Sequence, residues 1–160
     1  MPRRIWTVAE PKGAGKTSAI LEWARRRGDV AGVAQPTIGG VRRLEIVETG
    51  ERFRLEAGAD EPDALVVGRY RFRREAFRRA NERAIVALGR DPAVFFLDEI
   101  GALELKGEGV APALERALAT NGDRRLILVF REHLVEDIRE RFGIHDDERV
   151  RLARFQSDKP

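Results

Sequence analysis

The sequence predicts an α/β fold: a mainly parallel sheet with helices on both faces and one antiparallel hairpin inserted between α/β units. Three observations predict it. Strand-like and helix-like apolar patterns alternate along most of the chain. The apolar runs at 30–34, 93–97 and 126–130 are continuous, as in parallel strands covered on both faces. Between Arg43 and Glu56, apolar and charged residues instead alternate one by one, the mark of strands with one wet face.

Each element follows from local pattern. Ile5-Trp6-Thr7-Val8-Ala9 is a first short strand, and the glycine-rich turn Glu10-Pro-Lys-Gly-Ala-Gly-Lys-Thr17 follows it. Ile20, Trp23 and Ala24 form the apolar stripe of a helix, with Gly28 as its C-cap. The buried strand at 30–34 ends at Gln35-Pro36, because the residue before proline is pushed to extended backbone. Leu44 and Ile46, the turn signal Thr49-Gly50, then Phe53 and Leu55 read as the hairpin. Residues 58–63 are a loop. Leu65-Val66-Val67-Gly68 reads as a strand running on through Tyr70 and Phe72. Phe77, Ala80, Ala84 and Leu88 line one face of a helix over 74–88, which Asp91-Pro92 closes. Residues 93–97 are the most apolar run and the predicted central strand. Val110, Ala113, Leu114, Ala117 and Leu118 give an amphipathic stripe, with Pro112 in its first turn and Asn121-Gly122 at its end. A buried strand over 126–130 is followed by a helix with Leu134, Ile138 and Phe142 on one face and Gly143 after it. Val150 and Leu152 suggest a last strand, and 156–160 a frayed tail. No repeat, low-complexity block or linker divides the sequence, so residues 1–160 are expected to form a single domain.

Composition narrows the class. The 160 residues, 42% of them hydrophobic, suffice for a core of their own. Cysteine is absent, which excludes disulfides, thiolate metal sites and a cysteine nucleophile and agrees with a reducing compartment. No apolar run approaches the length of a membrane span, and no signal peptide is visible. A cytoplasmic location is expected, with no membrane partner. The formal charge is +3, and only Lys12, Lys16, Lys106 and Lys159 of the 30 basic residues are lysine. This balance permits nucleic-acid binding without demanding it.

The chemistry sits in the turn after the first strand. A strand, a glycine-rich turn and a helix start ending in Gly15-Lys16-Thr17 suit a loop that wraps a nucleoside triphosphate. Pro11, Lys12, Gly13, Ala14, Gly15, Lys16, Thr17 and Ser18 are the expected phosphate-binding residues. Gly13 and Gly15 let the backbone approach the phosphates, and the helix N-terminus adds positive potential. Lys16 can reach the β- and γ-phosphates, and Thr17 can place its hydroxyl on Mg²⁺. The motif G-x-x-x-x-G-K-[ST] wants glycine where this chain has Glu10. There a carboxylate turned inward would repel phosphate.

The central run ends in Asp98-Glu99, and carboxylates at that end of a buried strand face the crevice where open α/β sheets bind ligands. Asp98 is suited to hold Mg²⁺ opposite Thr17, and Glu99 to orient or deprotonate the attacking water. Asp98-Glu99-Ile100-Gly101-Ala102-Leu103-Glu104-Leu105 resembles the D-E-I-G-x-[ML]-E-L signature of the THEP-type nucleoside-triphosphatases, also called cancer-related nucleoside-triphosphatases. The loop at Glu10 to Thr17, Gln35-Pro36-Thr37, Thr49-Gly50-Glu51 and Val67-Gly68-Arg69-Tyr70 fit the same resemblance. It implies a three-layer, RecA-like P-loop fold and slow Mg²⁺-dependent hydrolysis of ATP or other NTPs with weak base discrimination. It implies no particular physiological substrate. Two features depart from the family pattern: Glu10, and the absence of an E-N-R-D-like stretch after the last strand.

Other residues carry weaker signals. Glu104 is suited to fix the loop after the central strand. Arg131 follows the strand at 126–130 at the same sheet edge as Asp98. It is a candidate catalytic residue beside Lys16 and Glu99, stabilising charge on the γ-phosphate, with an ion pair to Glu132 or Glu136 as the alternative. The arginines between Arg69 and Arg83, interleaved with Tyr70 and Phe72, read as a solvated face more than a nucleic-acid surface. His133 and His145 have no metal-ligand spacing. The alternatives to a hydrolase are a small-molecule kinase, with Arg69 to Arg79 as a lid, and a non-catalytic nucleotide-dependent adaptor. No protein partner is implied.

Overall fold

The structure, a computed structural model, describes residues 4–120 and 122–156. Its elements in chain order are β1 (Arg4–Val8), α1 (Lys16–Arg27), β2 (Val30–Ala34), β3 (Thr37–Ile38), β4 (Val41–Ile46), β5 (Arg52–Arg54), β6 (Leu65–Val67), β7 (Tyr70–Phe72), α2 (Arg74–Gly89), β8 (Val94–Ile100), α3 (Ala102–Leu105), α4 (Ala111–Ala119), β9 (Arg125–Phe130), α5 (Val135–Phe142), β10 (Glu148–Arg149) and α6 (Ala153–Gln156). The main sheet runs β10-β1-β9-β8-β2-β4-β3, with β5 paired to β4. β10, β1, β9, β8 and β2 are parallel, and β4 turns antiparallel against β2.

The continuous apolar runs are explained by the two faces they serve. Along β8, Phe95 and Leu97 enter one core while Phe96 enters the other. Along β9, Leu126, Leu128 and Phe130 alternate with Ile127 and Val129 in the same way. α2, α4 and α5 cover the first face; α1, with Trp23, and the last segment, with Phe155, cover the second. The result is the three-layer α/β arrangement expected from the sequence.

Departures are confined to short elements. The predicted strand through Val67, Tyr70 and Phe72 is two strands. Val67 pairs with Tyr70 across a two-residue turn, and Gly68 supplies the positive φ of 57° that such turns require. β3 and α3 are too short to carry a period. The last strand lies at Glu148–Arg149, ahead of the buried Val150 and Leu152. Gln156, expected in a frayed tail, ends α6, one residue after the fully buried Phe155. Asn121, expected with Gly122 to end the helix seen as α4, and the rest of that tail at 157–160 lie outside the described residues.

One point of the β2–β8 pairing is unusually close. Gly32 has φ 139°, and a Cβ there would stand 1.9 Å from the Phe96 carbonyl oxygen. Gly32→Ala is therefore expected to destabilise the fold by about 3 kcal/mol or more. Urea unfolding checks this, and a midpoint equal to the parent's would show that the backbone relaxes at no cost.

Candidate active site

The glycine-rich loop joins β1 to α1 at the carboxyl end of the parallel strands. Gly13 and Gly15 have φ of 85° and 80°, a conformation that side-chain-bearing residues rarely adopt. Ala14 N–H donates to the Pro11 carbonyl at 3.2 Å and closes the turn. α1 starts at Lys16 with no acidic residue in its first turn, while Arg25, Arg26 and Arg27 sit at its far end. The positive end of the helix dipole is thus left unneutralised beneath the loop. Lys16 is largely buried, and its Nζ donates to the Glu10 carbonyl at 2.6 Å and the Pro11 carbonyl at 3.4 Å.

β8 brings Asp98 to this loop across β9. Asp98 Oδ2 accepts from the Thr17 hydroxyl at 2.7 Å and from Gln35 N–H at 3.0 Å. Its Oδ1 is buried and accepts no hydrogen bond among the described residues. Burial and the neighbouring Glu99 charge push the Asp98 carboxyl up to about 6, against the Thr17 and Gln35 bonds that favour the charged form. An orphaned carboxylate oxygen beside a hydroxyl is a donor set that suits a hard divalent cation. No cluster of three or more His, Cys, Asp or Glu residues suited to a metal occurs among the described residues. Asp98 and Thr17 are the two side chains that this geometry offers to such an ion.

Glu99 is aimed by a break in the sheet. The β8–β9 register shifts between Leu97 and Ile100, and Glu99 takes φ 57°, a strained value for a residue with a side chain. Its Oε2 lies 2.9 Å from Arg131 Nε as an ion pair, but accepts no aligned hydrogen bond. Arg131 is thus tied to Glu99 rather than to Glu132 or Glu136. Glu99 lines a cleft of about 360 Å³ together with Lys12, Lys16, Thr17, Gln35 and Arg42. Pro11 and Ala14 sit on the exposed outer turn, while Ser18 lines the same cleft.

Glu104 fixes the loop after β8. Its two carboxylate oxygens accept from Gly101 N–H at 2.8 Å and Val110 N–H at 2.9 Å. Glu10 is turned out of the cleft: Oε1 accepts from Leu152 N–H at 2.8 Å. It joins the start of the loop to the C-terminal segment.

Arg42 is a residue that motif reading missed. It has a signal in the sequence, since it lies in phase with Leu44 and Ile46 on the inward face of β4, where a charge is out of place. The arginines of α2 mostly face carboxylates. Arg74 pairs with Asp63, Arg78 with Glu75 and Glu82, and Arg83 with Glu51. His133 and His145 are exposed. No helix among the described residues is long and apolar enough to cross a membrane.

The comparisons agree with this geometry. A family model described as NTPase matches residues 7–153. The structure is similar to that of THEP1 from the hyperthermophile Aquifex aeolicus, with a TM-score of 0.68 and 19% identity over 94% of this chain and 90% of that one. No curated protein matches the sequence. The protein belongs to this NTPase family and is a P-loop nucleoside-triphosphatase.

Two expectations arise here. Burial holds the Glu104 carboxyl up at about 7, above an ordinary value of 4.5, although the Gly101 and Val110 N–H groups act the other way. The folded protein then binds more protons than the unfolded chain between those values. The contribution of Glu104 is fully present below the lower value and is lost as pH rises through the upper one. Stability should fall across that window by up to roughly 1.4 kcal/mol per unit. The fall should be absent from Glu104→Gln whatever that variant's absolute stability. Urea midpoints across the window decide it, and equal slopes in the two proteins would contradict it.

The second expectation concerns Glu10. Glu10→Gln keeps an acceptor for Leu152 N–H and should bind a triphosphate as the parent does. Glu10→Ala leaves that N–H without its partner and should weaken binding roughly fivefold, the worth of about 1 kcal/mol. Titration at low and high salt separates this from repulsion, under which Glu10→Ala would bind more tightly, most of all at low salt.

Proposed function

We propose that this NTPase hydrolyses nucleoside 5′-triphosphates to the diphosphate and phosphate with Mg²⁺ and little base discrimination. The observation that carries the reading is the Thr17–Asp98 pair: a hydroxyl and a buried carboxylate 2.7 Å apart at the mouth of a glycine-rich loop, with Asp98 Oδ1 unused. Thr17 and Asp98 would hold Mg²⁺, which when bound neutralises charge on the β- and γ-phosphate oxygens. Backbone N–H groups of residues 12–18 and the start of α1 bind the phosphates. Lys16 exchanges its two carbonyl partners for phosphate oxygens. Glu99 accepts the proton of the attacking water, and Arg131 keeps that carboxylate oriented. A cytoplasmic site of action fits a nucleotide substrate. The ion-paired state of the α2 arginines supports leaving nucleic acid out of the reaction.

Phosphate release and nucleotide affinity, measured together across the common NTPs with and without Mg²⁺, test the reading. Lys16→Ala should stay folded and lose most triphosphate affinity and all turnover; parent-like binding would remove the phosphate-loop assignment. Glu99→Gln should bind normally and turn over about 10²-fold more slowly or worse, the scale of a lost general base. Unchanged turnover would place the base elsewhere. Turnover that requires a second acceptor in place of water would mark a kinase.

A further inference from the structure

Arg42 is an arginine in the cleft whose guanidinium pairs with no carboxylate among the described residues; Glu56 accepts only from its main-chain N–H, at 3.2 Å. It rises from β4, outside the glycine-rich loop, and lines the cleft with Lys16, Thr17 and Glu99. It also lines the narrow adjoining cavity with Glu99 and Arg131. Arg131 is matched by Glu99 and Lys16 by two carbonyls. Among the described residues, Arg42 has aromatic neighbours instead. Its guanidinium carbon lies 5.1 Å from the centre of the Tyr70 ring and 5.6 Å from that of Phe72. Those rings stack on each other at 6.1 Å with planes 3° apart. Aromatic faces hold a planar guanidinium in place without cancelling its charge, which leaves its N–H groups for an anion. The β6–β7 hairpin, with its turn at Gly68 and Arg69, carries that platform to the cleft.

The position within the cleft indicates which phosphate is met. Water attacks the terminal phosphorus, so the group that acts on water lies at the γ-phosphate end. Arg42 borders both cavities that Glu99 borders, and the smaller one also holds Arg131, which puts it on the Glu99 side of the cleft. Resting on the reading of the cleft as a triphosphate site, we infer that Arg42 is the γ-phosphate ligand supplied from outside the loop. It is thereby the residue by which the enzyme tells a triphosphate from a diphosphate. A fixed cation there meets the charge that develops on the phosphoryl oxygens with little reorganisation.

The test uses Arg42→Gln and Arg42→Lys, which keep a long stem over Phe72, with Lys16→Ala alongside. A non-hydrolysable ATP analogue and ADP are titrated into each protein with Mg²⁺, and ATP turnover is followed. Arg42→Gln should keep ADP affinity within about twofold of the parent and lose about tenfold or more in affinity for the ATP analogue, the worth of a charge-assisted hydrogen bond. Its turnover should fall about 10²-fold. Arg42→Lys should recover only part of either loss, because an ammonium lacks the planar fork. Intact ADP binding shows that the variant is folded with its cleft in place. Equal weakening of both nucleotides, or no change in either, overturns the assignment. If Lys16→Ala abolishes binding while Arg42→Gln behaves as the parent, Arg42 alone is dismissed. If Lys16→Ala binds both nucleotides as the parent does, the cleft is not the site and both readings fall.

Discussion

One carboxylate oxygen holds the working parts of this molecule in register. Asp98 Oδ2 accepts from the first turn of α1 through Thr17 and from the end of β2 through Gln35 N–H. Three elements that are far apart in sequence therefore meet on a single atom at the end of β8. The residue is 1% exposed, so its charge carries a desolvation cost that those two donors help to offset. Removing either donor would leave a buried anion short of a partner and would also free the loop above it. Structural and functional demands coincide at this atom, and the second oxygen of the same group is left for something else.

The sheet order sets what can reach that point. β9 lies between β1 and β8, so the loop after β1 and the carboxylates near the end of β8 face each other across one strand's width. Helices on both faces keep the parallel strands dry. The irregularity at Leu97–Ile100 then turns Glu99 out of the ladder toward the cleft. A regular strand would send its side chain into one of the two cores. The positive φ at Glu99 is local strain sustained by the surrounding fold, a pattern common where backbone geometry serves chemistry.

The large features of this arrangement were legible in sequence because each rests on local pattern. Continuous apolar runs marked β2, β8 and β9, helical spacing marked α1, α2, α4 and α5, and the glycine spacing marked the loop. What escaped was short or long-range. β3 and α3 span two and four residues, less than their own periods need. The break at Gly68 was hidden because Leu65 to Phe72 is apolar enough to pass for one strand. The partners of Glu10, Glu99 and Arg131 are tertiary: the first pair lies 142 residues apart in the chain. Arg42 was hidden for a different reason. One more charge among the arginines of the hairpin attracts no attention until its phase along β4 is compared with Leu44 and Ile46.

Both tryptophans of the chain, Trp6 on β1 and Trp23 on α1, lie edge-on to Phe155, with ring centres 6.1 Å away for Trp6 and 5.2 Å for Trp23. Neither lines the cleft. Tryptophan emission therefore reports on the seating of the C-terminal turn against α1 and β1. A ligand in the cleft has two structural routes to those rings, α1 and the bond from Leu152 to Glu10. The unmodified protein thus contains its own optical gauge of how firmly the far end of the chain is docked, spatially separate from the chemistry.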